Sequence, residues 1–65
     1  MKYKVGDKVR IVTSTFSTAG LEGEIIILEP PEFYHVDEQK HGSRGFPYRE
    51  YEIELIVPIF TRELI

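Results

Sequence analysis

The sequence predicts a small all-β domain of five strands, and three observations carry that reading. Apolar residues recur in short runs, either alternating with polar ones or rich in β-branched side chains. Glycine, proline and small polar residues punctuate those runs at the spacing expected between short strands. No stretch holds a helical apolar period over the length of an ordinary helix. With 65 residues there is room for a single core, because a chain this short buries only about 60% of the surface its unfolded form exposes. Five strongly bent strands can wrap such a core as a small barrel, and a simpler meander is the alternative topology.

The first strand is expected over residues 8 to 13, where Val9 and Ile11 point one way and Lys8 and Arg10 the other. Gly6 and Asp7 precede it, a residue free to take positive φ followed by a side chain able to bond nearby backbone donors. Residues 14 to 20 are small and hydroxyl-rich, a loop with one aromatic anchor at Phe16. Gly20 and Gly23 then bracket the entry to a second strand over 23 to 29, whose run Ile25, Ile26, Ile27, Leu28 places apolar groups on both faces. Pro30 and Pro31 end it, since proline has no amide hydrogen for a ladder and restricts the residue before it.

A third strand is expected over 32 to 38, with Tyr34 and Val36 on one face and Phe33 and His35 on the other. A polar loop leads to a fourth over 45 to 49, an edge strand because it contains Pro47. Residues 50 to 53 suit one tight helical turn, and a fifth strand follows over 53 to 57, closed by Pro58. The barrel domain is therefore expected over 1 to 58. Residues 59 to 65 form an apolar tail that packs on the barrel or on a partner, with a second copy of the chain as one such partner.

Composition narrows the functional classes. The absence of cysteine removes disulfides, thiolate chemistry and cysteine-based zinc sites, and it suits a reducing cytoplasm. No run is long enough and apolar enough to suggest a membrane span or an export signal. Eight basic residues against eleven acidic ones leave a net charge of −3, a mild repulsion toward phosphate backbones.

The motif Gly6-Asp7-x-Val9-x-Ile11, followed by Gly20-Leu21-Glu22-Gly23-Glu24-Ile25, resembles the opening of KOW-type and related Src-homology-3-like barrels. Tyr34-x-Val36, Gly45-Phe46 and the closing Tyr51-Glu52-Ile53-Glu54-Leu55 are similar to the electron-transport accessory proteins, a group that includes the stromal photosystem I subunit PsaE and the nitrile hydratase β subunit. The resemblance spans about residues 4 to 57 and implies a small five-stranded SH3-like barrel; its letters are of types that β-barrels reuse, so it speaks to fold more than to function. RNA-contacting KOW segments usually carry lysines and a further glycine in the first loop, whereas residues 13 to 19 here read Thr-Ser-Thr-Phe-Ser-Thr-Ala.

Three side-chain constellations bear on chemistry. His35, Asp37, Glu38 and His41 have ligand-type side chains, but two histidines and carboxylates in a polar hairpin are more often solvated than metal-bound, and no metal is expected. Glu50, Glu52 and Glu54 could supply paired carboxylates, yet acid-base work needs an apolar pocket to keep one of them protonated, and none is evident beside them. The hydroxyls of 13 to 18 lack the glycine-lysine pattern that cradles phosphate. No catalytic residue and no cofactor are expected.

Two binding readings remain. The first is a non-catalytic accessory module that docks onto a protein partner or a larger assembly, using Phe16, Phe33, Tyr48, Glu50, Glu52, Ile59 and Phe60 as an aromatic, apolar and acidic surface. The second is a KOW-type nucleic-acid-binding module with Lys8, Arg10, Arg44 and Arg49 on phosphates and neighbouring aromatics stacking on bases.

Overall fold

The computed structural model describes residues 1–14, 17–40 and 44–57. Its strands are β1 (Lys8–Ile11), β2 (Glu22–Glu29), β3 (Phe33–Asp37), β4 (Phe46–Arg49) and β5 (Ile53–Leu55), with a single 3-10 turn, Glu50–Glu52, between the last two. All pair antiparallel in one sheet of order β4-β3-β2-β1-β5. The five expected strands and the tight turn are thus present, β2 beginning one residue earlier than expected and the others shorter by one or two residues. Among the described residues no helix is long and apolar enough to cross a membrane.

The expected closure into a barrel is not present as a hydrogen-bonded cylinder: the last strand returns to β1, but β5 and β4 stay at opposite edges. The chemistry of β4 explains the open seam. Its pairing with β3, which sets His35 opposite Pro47 and Tyr34 opposite Tyr48, is compatible with proline only if the Pro47 nitrogen faces away from β3. The amide of Arg49 faces the same way and donates to Glu52 Oε1 at 2.7 Å. The outer side of β4 therefore has no donor at residue 47 and a committed one at residue 49.

One face of the sheet carries the core, made of Tyr3, Val9, Ile11, Ile25, Tyr34, Val36, Tyr48 and Ile53, with Leu28 and Phe46 packed against it. Tyr34 and Val36 are the inward pair of β3. The apolar run in β2 is resolved by a bulge: Ile25 pairs with Val36 and Ile27 with His35, so Ile26 is an extra residue in the ladder. Without it Ile25 and Ile27 would share a face. With it Ile25 and Leu28 turn inward while Ile27 joins His35 outside.

The open end of the core is capped by the N-terminal segment, where the Tyr3 ring meets Tyr34 edge-on at 5.4 Å and the Tyr3 amide donates to Tyr34 Oη at 3.1 Å. The turn before β1 is fastened by Asp7, whose Oδ2 accepts from the Lys4 amide at 3.1 Å. Gly20 takes φ +95° in the turn that returns the chain to β2, a conformation strained for any side chain. Gly23 answers a different need. A Cβ there would overlap the Asp37 carbonyl and lie 2.9 Å from Val36 Cγ1, so the end of β3 can approach β2 this closely only with glycine at that point.

Candidate protein-binding surface

Charge on the outer face of β5, β1 and β2 is matched strand by strand. The register sets Arg10 between Glu22 on one side and Glu54 on the other, and its guanidinium contacts them at 2.9 and 3.0 Å. The bond to Glu22, then that to Glu54, holds the Arg10 pKa above its ordinary value. Lys8, one pair further along, lies 3.3 Å from Glu24. Beside this ladder is an open depression of about 390 Å³ lined by Lys8, Glu22, Gly23, Glu24, Asp37, Gln39 and Ile56.

On β3 and β4, Arg49 lies over the Phe33 ring at 5.0 Å and reaches Glu32 at 3.2 Å, and the Glu32 bond raises its pKa. Phe33 is half-buried beneath it. His35 Nε2 meets Glu29 Oε1 at 2.7 Å, while Asp37 Oδ1 accepts from the Gln39 amide at 3.3 Å. The residues weighed for a metal are thus drawn to different partners. Among the described residues no group of three or more His, Asp or Glu is placed to hold a metal ion, and His41 lies outside those residues.

Tyr48 is a core residue with 1% of its surface exposed. Its hydroxyl donates to the buried Glu38 carboxylate and is 2.8 Å from Thr18 Oγ1, and the Thr18 hydroxyl is in turn 2.8 Å from Ser14 Oγ. Burial, reinforced by Glu38, pushes the phenol up to about 12. Every buried side-chain nitrogen or oxygen among the described residues has a hydrogen-bond partner. Such a network ties Ser14, Thr18 and the residue after β3 to the core, which places Tyr48 out of a partner's reach.

Of the other residues predicted to dock, Glu50 is exposed at the head of the 3-10 turn, and Glu52 is half-buried with its carboxylate on the Arg49 amide. Phe16, Ile59 and Phe60 lie outside the described residues. Arg44 is exposed just before β4, apart from the cations on β1.

Large apolar side chains are exposed at Met1, Val5, Val12, Leu21 and Ile27, and three more gather about the last described strand. Tyr51 is 68% exposed, Leu55 45% and Val57 64%. All three flank or belong to β5, an edge strand. Alternation assigns Leu55 to the core face with Ile53, and its register opposite the buried Val9 agrees. Among the described residues no strand lies beyond it to complete the cover. An inward parity on an edge strand covers nothing on its open side.

Against known proteins, the chain matches no family model, no curated protein and no solved structure.

Proposed function

We propose that this chain is a non-catalytic accessory module that docks onto a protein, built on a Src-homology-3-like meander and working in the cytoplasm. The observation that carries this reading is the exposed apolar series Tyr51, Leu55 and Val57 along an edge strand. Large side chains of this kind beside unpaired sheet edges are what β-strand addition uses, the backbone giving affinity and alternate side chains giving specificity. The return of the last strand to the first supports the Src-homology-3-like arrangement, and the lack of cysteine suits a reducing compartment.

The nucleic-acid reading has less support, because three of the four cations it needs are engaged. Lys8 lies against Glu24, Arg10 between Glu22 and Glu54, and Arg49 against Glu32. A phosphate would have to displace a carboxylate at each of them. A photo-crosslinking residue at Tyr51 should capture protein, whereas the same residue at Arg44 should not. Tight binding of RNA or DNA that falls steeply with salt, with no protein captured from Tyr51, would overturn the proposal and favour the alternative.

A further inference from the structure

We propose that β5 is where a second copy of this chain adds, antiparallel and centred on Leu55, so that two five-stranded sheets continue as one. The inference rests on the docking reading above and names its partner.

The ladder between β1 and β5 decides which backbone groups are available. Ile56 donates to the Lys8 carbonyl at 2.9 Å and Val12 to the Glu52 carbonyl at 2.8 Å. Residues 52, 54 and 56 therefore turn their backbone toward β1, and residues 53, 55 and 57 turn theirs outward. The Ile53 amide is taken by the Glu50 carbonyl, which leaves its carbonyl facing out. A two-fold axis at Leu55 uses this set. Leu55 exchanges both bonds with Leu55 of the second copy, and each Val57 amide meets the other copy's Ile53 carbonyl. The reciprocal bond, from the Ile53 amide to the other copy's Val57 carbonyl, is not made because that amide is bonded within its own chain, so the register rests on the two Leu55 bonds and the two from Val57.

Side chains agree with the same register. Leu55 faces Leu55, Ile53 faces Val57, and Glu54 faces Ile56, so no like charges are opposed. Glu54 is in addition bridged to Arg10 at 3.0 Å. Neighbouring registers are worse. An axis at Glu54 sets that carboxylate against itself, one at Ile53 sets it against Glu52, and one at Ile56 sets it against Pro58, which cannot add to a ladder. The opposite edge cannot compete, because β4 lacks a donor at Pro47 and has that of Arg49 engaged by Glu52.

Sedimentation equilibrium over a wide concentration range should show the mass doubling reversibly, with association strengthened by salt because each copy carries a net charge of −3. The chain has no cysteine, so a single introduced thiol reports the register. In the proposed pair the two residues at position 55 have Cα atoms about 5.5 Å apart, within disulfide reach. Leu55→Cys should oxidise readily to a covalent dimer, and Val57→Cys, opposite Ile53 rather than itself, should not. Both positions are exposed, so neither change disturbs the core. A folded monomer at every concentration, or Val57→Cys crosslinking as fast as Leu55→Cys, overturns the proposal. A monomer whose Tyr51 crosslinks a different protein would overturn self-pairing while leaving the docking reading standing.

Discussion

At one edge of the sheet Pro47 has no amide hydrogen and the amide of Arg49 is bonded to Glu52, whereas at the other the backbone of Leu55 faces outward beside the exposed side chains of Leu55 and Val57. Both strands are short and both follow polar or charged segments. Their difference lies in what the chain does with donors on the outer side. Edge strands invite unwanted pairing unless they are blunted, and here one edge is blunted by covalent structure and a local hydrogen bond while the other is left able to pair. An edge that is protected on one side only is consistent with pairing that is wanted on the other.

The contrast can be broken first at the anchor of the blunted edge. Tyr48→Ala removes the ring that fixes β4 to the core and should destabilise the fold by about 3 to 5 kcal/mol, the range for losing a buried aromatic, measured by urea unfolding. Tyr48→Phe keeps the ring but takes one donor from Glu38, and a loss of about 1 to 3 kcal/mol is expected. If Tyr48→Ala costs no more than Tyr48→Phe, β4 is not held by the core as described.

The same side chain makes the fold sensitive to alkali. The phenol is raised from 10.0 to about 12 in the folded chain, so between those values the unfolded chain releases a proton that the folded chain retains. Stability contributed by this group is complete below pH 10 and is lost as pH rises through about 12. Unfolding midpoints measured along that window should decline in the native chain and decline less in Tyr48→Phe. Equal slopes for the two would show that another group controls alkaline unfolding.

A smaller effect sharpens the blunted edge itself. Glu52→Ala frees the Arg49 amide, at a loss of about 1 kcal/mol for one hydrogen bond, and native-state exchange of that amide should quicken. Unchanged exchange would mean that Glu52 does not guard this edge. The smallest effect is expected on the charged face, where Arg10→Ala should change stability less than Glu52→Ala because its two ion pairs are solvent-exposed. The change should shrink further with added salt, and a persistent large loss would mean that the Glu22–Arg10–Glu54 row fixes β5 rather than decorates it.

Much of the fold was legible in the chain. Alternation placed β1, and Pro30 with Pro31 marked the turn after β2. Pro47 marked β4 as an edge, and the tight turn expected over 50 to 53 is present at Glu50–Glu52. The β2 run was readable only as apolar on both faces, because a bulge at Ile26 changes parity without changing residue type. Tyr48 was named as a docking aromatic and is instead a core side chain whose hydroxyl is satisfied by Glu38 and Thr18. Those partners lie 10 and 30 residues away in sequence, so no local pattern could reveal them. Lys8 and Arg10 were grouped for nucleic acid, but their carboxylate partners Glu24, Glu22 and Glu54 on adjacent strands depend on register.

What the amino-acid order determined alone is local: the two-residue period of the strands, the turns demanded by glycine and proline, and an edge that proline imposes on β4. These follow from backbone sterics and from the presence or absence of an amide hydrogen, properties each residue carries with it. Only the tertiary structure decided which carboxylate meets each cation, which tyrosine is buried, and that the sheet stays open between β4 and β5. Those outcomes depend on strand order and register, and it is register that turns the backbone of Leu55 outward.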